Sequence, residues 1–409
     1  MRIIILGGTG RIGSAVAYDL VRNNAVNTVG VTGMGDLKLE KMASKLNSNK
    51  LNMHKVDLEN QEAVTLLLRD YDAAIITLPN RRLSYKAIEC AINAGTHAVD
   101  ILEEYHRRPE PHETEGLEVP GDMSLEKYGE SLHDRAMKSN VTILDGMGFA
   151  PGLSNITTQY AIDYLDKAVS AIARVGGIPS KETSLRHPLK YLITWSFEHV
   201  LREYMVSLSI RKNGKVVQVQ ALEDHEIFEF TEFGKNDKLE CFITPGMPSF
   251  IYTHPELDYF TEKTIRWPGH WQGIQTLKEC GLLETTPVEF QGSKISPREF
   301  MLAQLEPKLR PVKGDADACV MVNTIKGFKD NKECTVEFFM WDEEDKVNNI
   351  TSMARVTGFS ASIAGMMLAA NAITQRGIVA PEEVISGELY DKFLKELGKR
   401  NIKIAKRIN

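Results

Sequence analysis

Gly8, Gly10 and Gly13 stand in the spacing G-x-G-x-x-G, with Thr9, Arg11 and Ile12 in the variable places and Gly7 just before them. Glycine permits a tight turn and lets backbone N–H groups approach a pyrophosphate, and a helix that begins there adds the partial positive charge of its N-terminus. The run Arg2–Leu6 ahead of the turn is apolar and of strand type, and Ala15–Arg22 behind it has helical periodicity. A strand, this turn and a helix in that order make a dinucleotide-binding site from Gly8, Thr9, Gly10, Arg11, Ile12 and Gly13.

The acid that grips an adenosine ribose belongs about 20 residues further on, at the end of the second strand. That place holds Thr32-Gly33-Met34-Gly35, and the first acid, Asp36, comes a few residues late. With no carboxylate there to repel a 2′-phosphate, and with Arg11 and Lys38 nearby, the loop favours NADP over NAD. Asp57, expected at the end of the third strand, is either an adenine contact or a strand-end cap. Thr77-Leu78-Pro79 closes the fourth strand, where the backbone passes the nicotinamide side; Pro79 is equally a strand terminator. Thr32, Asp57, Leu78 and Pro79 complete the expected cofactor set.

These residues need a scaffold. Strand-like runs at 2–6, 28–32, 53–58, 73–78, 97–101 and 141–144 alternate with helical patterns at 15–22, 37–46, 62–68 and 85–94. Such alternation implies βαβ crossovers and a doubly wound parallel α/β sheet of Rossmann type. Residues 145–155 carry three Gly and one Pro, a crossing point between domains. Beyond them, longer alternating runs at 168–175, 205–211, 216–221, 239–244 and 335–341 predict a mixed or mainly antiparallel sheet, with Lys212-Asn213-Gly214-Lys215 as a hairpin turn and helices at 272–280 and 297–305. Helices at 360–372 and 381–397 would cap the first domain. Residues 103–127 contain eight acids and three prolines, and read as a lid or as a solvated insertion.

The remaining composition sets limits. A chain of 409 residues suggests two or three domains. A net charge of -6 favours no nucleic acid. The five cysteines are scattered without a C-x-x-C pair and read as reduced thiols of a cytoplasmic protein. The apolar start is too short for a signal peptide, and no run reaches the roughly 18 residues of a membrane span. No H-E-x-x-H or clustered Cys/His suggests a metal.

Asp145-Gly146-Met147-Gly148-Phe149-Ala150-Pro151-Gly152-Leu153-Ser154-Asn155 resembles the saccharopine dehydrogenase-like family of amino-acid oxidoreductases. Gly176-Gly177-Ile178-Pro179, Tyr191 with Trp195-Ser196, Lys263-Thr264-Ile265-Arg266-Trp267-Pro268-Gly269-His270, and Arg376-Gly377-Ile378-Val379-Ala380-Pro381-Glu382-Glu383 agree with it in the same order. The middle motifs look most like L-lysine 6-dehydrogenase and saccharopine-reductase-like proteins. The resemblance implies a Rossmann domain from residues 1–150 plus about 356–409. An inserted α+β substrate and dimerisation domain would span 151–355, in a homodimer. The implied reaction is hydride transfer at the amine-bearing carbon of an amino acid such as lysine or saccharopine, through an imine that water opens.

That chemistry asks for an anchor for carboxylates, and Arg266 can hold one as a bidentate pair, unless it is a surface salt-bridge residue. His270 is a proton acceptor or a structural histidine. Trp195 walls the substrate stem or belongs to the core. Asp100 and Asp145, at the ends of the fifth and sixth strands, orient the substrate ammonium or serve as caps; Asp145 joins His270 as an expected catalytic residue and Asp100 joins Trp195 and Arg266 as a substrate contact. Two rivals remain. Short-chain dehydrogenases share Gly7-Gly8-Thr9-Gly10, but their Tyr-x-x-x-Lys pair occurs only at Tyr259 and Lys263, far past its usual place. A non-catalytic NADP sensor or scaffold would bind the dinucleotide and turn nothing over.

Overall fold

The short apolar runs of the first 145 residues become the strands β1 (Arg2–Leu6), β2 (Thr28–Gly33), β3 (Leu51–Lys55), β4 (Ala73–Ile76), β5 (His97–Asp100) and β6 (Thr142–Leu144) in the computed structural model, which describes residues 1–110, 117 and 119–409. Ile3, Ile4, Ile5, Leu6 and Ala73 to Ile76 are fully buried, as strands covered on both faces must be. Between the strands run α1 (Arg11–Arg22), α2 (Asp36–Leu46), α3 (Gln61–Leu68), α4 (Arg81–Ala94) and α5 (Leu125–Lys138). All pairings in this sheet are parallel, in the order β3-β2-β1-β4-β5-β6, and a seventh strand, Gly377–Val379, adds itself to β6. This is the Rossmann order, with its direction change between β1 and β4. The glycine turn follows β1, at that switch point.

The chain divides into two compact units. The first holds Met1–Tyr160, Met247–Thr253 and Ala354–Ile402; the second holds Ala161–Gly246, His254–Met353 and Lys403–Asn409.

In the second unit the strands are β7 (Lys167–Pro179), β8 (Ser207–Lys212), β9 (Lys215–Gln220), β10 (Glu226–Phe230), β11 (Asp237–Ile243), β12 (Tyr259–Arg266), β13 (Val288–Phe290), β14 (Ser293–Ile295), β15 (Asp317–Lys329) and β16 (Lys332–Glu343). Nine strands form one mixed sheet along β10-β11-β12-β7-β15-β16 and the last strand Ile404–Ile408, with β8 paired to β12 and β9 paired to β8. Only β12 and β7 pair in parallel. The sheet curls on itself: Phe230 of β10 lies 5.2 Å from Trp341 and 6.3 Å from Phe339 of β16, ring centre to ring centre. The enclosed face is the core of Leu239, Cys241, Ile265, Val320 and their neighbours. Asn213 and Gly214 join β8 to β9 with φ of 53° and 70°, the positive values that a two-residue hairpin requires.

Some sequence expectations shift. The third strand occupies 51–55 rather than 53–58, because Asp57 accepts from the Glu59 amide and starts a turn. β10, β12 and β15 are strands where the sequence pattern predicts none. The late helix begins at Ser352, and the last helical stretch is broken into Pro381–Val384 and Gly387–Lys399. Of the acidic run 103–127, residues 111–116 and 118 lie outside the described residues. Its beginning is no solvated insertion, since Glu104, Tyr105 and His106 are buried. No helix among the described residues is long and apolar enough to cross a membrane.

Candidate active site

In the first unit the glycine turn is closed by backbone packing. Gly7 has a φ of 79°, and the Gly10 amide donates to the Gly7 carbonyl at 2.9 Å. A Cβ on Gly13 would meet the Gly7 carbonyl oxygen at 2.6 Å and the Gly8 Cα at 2.7 Å. Only glycine lets α1 start this close to β1. Thr32 is buried beneath the turn: its hydroxyl donates to the Ile5 carbonyl at 3.2 Å and accepts from the Gly7 amide at 3.0 Å. Thr32 therefore shapes the loop. The Thr77 hydroxyl binds the Leu6 carbonyl from the β4 side at 2.9 Å; Leu78 is buried and Pro79 exposed.

The first turn of α1 has no acidic residue, and its N-cap, Gly10, offers no side-chain acceptor. The amides there are left for an anion, so the loop fits a dinucleotide pyrophosphate. Arg11, the first residue of α1, is exposed, as is Lys38. Asp36, the late acid, is drawn into an ion pair with Lys55 at 2.6 Å. Asp57 is exposed and holds the Glu59 amide at 3.0 Å.

Asp100 and Asp145 end their strands side by side but turn onto the protein's own groups. Both Asp145 oxygens accept from His106, one from its amide at 2.6 Å and one from Nδ1 at 2.7 Å. Asp100 accepts from the Ser84 hydroxyl and from the Leu102 amide at 2.8 Å. His106 Nε2 faces the Ser84 hydroxyl at 3.2 Å and completes the chain between the two acids. Burial, with Asp145 nearby, pushes the Asp100 carboxyl up. One turn earlier on the same helix face, Arg81 pairs with Glu104, whose other oxygen accepts from the Tyr85 hydroxyl at 2.8 Å. Arg81, Ser84 and Tyr85 thus fasten residues 104–106 onto α4. None of these groups stands out as a site in the sequence, although R-x-x-S-Y at helical spacing is its one visible trace.

In the second unit, Arg266 ends β12 and is 5% exposed. Its Nε donates to the Tyr204 hydroxyl at 3.2 Å and its Nη1 to the Ile265 carbonyl at 2.9 Å, and its guanidinium carbon lies 5.5 Å from the centre of the Tyr191 ring. No carboxylate among the described residues forms an ion pair with it. The surface salt-bridge alternative is therefore excluded. Glu240, its partner across the β11–β12 register, is occupied elsewhere: it accepts from the amides of Gly269 at 3.1 Å and Trp271 at 2.7 Å, holding the start of the helix His270–Glu279.

His270 is fully buried. Its Nδ1 lies 2.9 Å from the Leu189 carbonyl, which can only accept, so Nδ1 carries the proton and Nε2 accepts from the Tyr204 hydroxyl at 3.1 Å. Burial and the Arg266 charge push the imidazole down to about 3. It is neutral at any ordinary pH, and both of its nitrogens are engaged. Trp195 is half-buried, 5.0 Å from the His199 ring centre, against the core of Tyr191, Phe197, Tyr204 and Ile274. The structure thus brings Arg266 and His270 together through Tyr204, a residue the sequence does not single out. It also adds Glu262, two positions before Thr264 on the same face as Arg266, buried with its carboxyl well above the usual carboxylate range.

Residues 3–144 match the saccharopine dehydrogenase NADP binding domain, and residues 148–402 match the saccharopine dehydrogenase C-terminal domain. The chain is 21% identical to a carboxyaminopropylagmatine dehydrogenase of Synechocystis sp., over 98% of this chain and 96% of that protein. It is also 21% identical to the NADP(+), L-glutamate-forming saccharopine dehydrogenase of Saccharomyces cerevisiae, over 96% of each. The solved apo structure of a saccharopine dehydrogenase (L-Glu forming) from the same yeast superposes with a TM-score of 0.78 at 20% identity, covering 100% of this chain and 99% of that one. The two domain matches run in order over nearly the whole chain, and the chain belongs to the saccharopine dehydrogenase family of oxidoreductases, with an NADP-binding domain.

Proposed function

We propose that the protein is an NADP-dependent dehydrogenase that acts on the carbon–nitrogen bond of an N-substituted amino acid, with Arg266 as the anchor of a substrate carboxylate. The observation that carries this is the buried Arg266 guanidinium without an ion-pair partner among the described residues. A buried charge is costly unless it is paired, and a carboxylate matches the planar fork of a guanidinium. Tyr204, itself bonded to His270, holds Nε and the Ile265 carbonyl holds Nη1, which leaves Nη2 for the ligand. Both relatives named above carry, in their names, substrates or products that are amino acids or their amine conjugates.

NADP, when bound, supplies the hydride acceptor or donor. The glycine turn and the α1 amides hold its pyrophosphate, and Arg11 and Lys38 are the cations offered to a 2′-phosphate. Oxidation of the substrate amine would give an imine that water opens. We assign Asp145 and Asp100 to holding residues 102–106 in place and His270 to positioning Arg266, because every polar atom they offer is already engaged.

The test is steady-state kinetics with NADP+ on a panel of amino acids and secondary amines, saccharopine and lysine among them, for the native protein and Arg266→Gln. Removing one member of a buried charge pair costs about 2–5 kcal/mol, so KM for the true substrate should rise at least thirtyfold. An unchanged KM with a turned-over substrate would remove Arg266 from the site. No turnover of any amine, alongside tight NADPH binding by calorimetry, would leave a dinucleotide-binding protein without this reaction.

A further inference from the structure

Two buried glutamates lie on the Arg266 face of the second sheet, and their surroundings differ. Glu240 on β11 accepts from two backbone amides and from His225 Nε2 at 3.2 Å, so its charge is met in full. Glu262 on β12 accepts one hydrogen bond, from the Thr244 hydroxyl at 2.8 Å. A carboxyl has about four acceptor positions, and the rest of this one is left over. The loop after Thr244 comes so close that a Cβ on Gly246 would sit 2.3 Å from Glu262 Cδ. Glycine there lets the backbone pass over the carboxyl. Glu262 and Arg266 share a face of the strand, four residues or about 13 Å apart along the backbone; no ion pair joins them, although the Arg266 charge acts on the Glu262 carboxyl and the buried Glu203 acts on both. The strand presents a cation at one end and an acid at the other, neither in an ion pair among the described residues.

We propose that Glu262 is the specificity-determining residue of this site. It accepts a positively charged tail on an amino acid whose carboxylate lies on Arg266, and disfavours tails that end in a second carboxylate, as saccharopine's do. This rests on the reading of Arg266 as the carboxylate anchor. Burial, with the nearby Glu203, pushes the Glu262 carboxyl well above the usual carboxylate range, and Thr244 and Arg266 oppose this only in part. An arriving ammonium or guanidinium favours the ionised form and displaces the proton, so a cationic tail binds with proton release. A tail carboxylate meets a buried acid and gains nothing comparable.

The experiment is calorimetric binding of L-lysine, L-norleucine and L-2-aminoadipate to the full chain saturated with NADP+. Their tails end in an ammonium, a methyl group and a carboxylate. Titrations at pH 7 in two buffers of different ionisation enthalpy count protons. The native protein should bind lysine at least tenfold more tightly than norleucine, with aminoadipate weakest. Proton release should accompany lysine binding and not norleucine binding. Glu262→Gln, which keeps an acceptor for Thr244, should bring lysine to within about twofold of norleucine and abolish the proton release. A lysine preference that survives Glu262→Gln, or lysine binding by the native protein without proton release, would overturn the assignment. The proton count stands even if the variant fails to fold. If Arg266→Gln leaves all three affinities unchanged, the anchor fails first and Glu262 falls with it; if none of the three binds, the Glu262 assignment is overturned by itself, and the anchor is still judged by the kinetics with N-substituted amino acids.

Discussion

Arg266 Nε donates to the Tyr204 hydroxyl at 3.2 Å, and the same hydroxyl reaches His270 Nε2 at 3.1 Å, so one phenol orients both a guanidinium and an imidazole. Tyr204→Phe keeps the ring and removes that link. Two buried nitrogens lose their partner, which costs about 1–3 kcal/mol. We expect a melting temperature lower by several degrees and a KM for the amino-acid substrate raised about tenfold. A change in kcat of similar size with KM unaffected would place Tyr204 in the chemistry instead of behind the anchor.

His270 gives a pH dependence with a definite sign. Its folded-state value, pushed down to about 3, is below the ordinary imidazole value of the unfolded chain. The fold therefore prefers the neutral ring, and this preference is fully present above about pH 6.5. It fades as the pH falls from 6.5 towards 3, where unfolding is favoured by proton uptake. Urea unfolding of the native protein should weaken more steeply over that window than unfolding of His270→Gln. Parallel curves would show that the imidazole is not held neutral.

Gly13→Ala tests the cofactor loop. The added Cβ would press on the Gly7 carbonyl and the Gly8 Cα, both backbone atoms that cannot rotate away. We expect NADPH affinity to fall more than tenfold by calorimetry, with about 1–3 kcal/mol of stability lost to overpacking. Full-strength NADPH binding would mean that the turn opens readily and does not form the pyrophosphate cradle.

Arg81 and Glu104 form a buried ion pair beneath residues 104–106. Glu104→Gln removes the carboxylate bonded to the guanidinium and should destabilise by about 3–5 kcal/mol, whereas Arg81→Met with Glu104→Gln should recover part of that loss. The double-mutant cycle from denaturant unfolding decides it. A mild single mutant would show that the pair is open to water.

The Rossmann unit was legible because its signals are local. The glycine spacing at Gly8, Gly10 and Gly13 and the apolar runs of β1 and β4 need no partner to be read. In the second unit β12 has no local signal, since Thr261, Glu262, Lys263, Thr264 and Arg266 are all polar, yet all are buried. One face meets the enclosed core, where Lys263 pairs with Asp224 and Glu226; the other carries Glu262 and Arg266. A strand with polar residues on both faces carries no alternation. Arg266 stands in a motif, but Tyr204 lies on none and reaches Arg266 across 62 positions of sequence. Asp100 and Asp145 sit at their strand ends as the sheet-edge rule predicts. Their partners, Ser84 and His106, turn them inward, and no spacing in the sequence announces that pairing.

The strand Gly377–Val379 completes the first sheet by pairing with β6, although almost all of the second unit lies between them in the sequence. At a synthesis rate of about 5–20 residues per second, β6 emerges from the ribosome on the order of ten seconds or more before the strand that covers it. During that interval its outer backbone amides and carbonyls form an open edge, the kind that templates intermolecular pairing. The nascent chain is thus most prone to self-association while its dinucleotide sheet is one strand short.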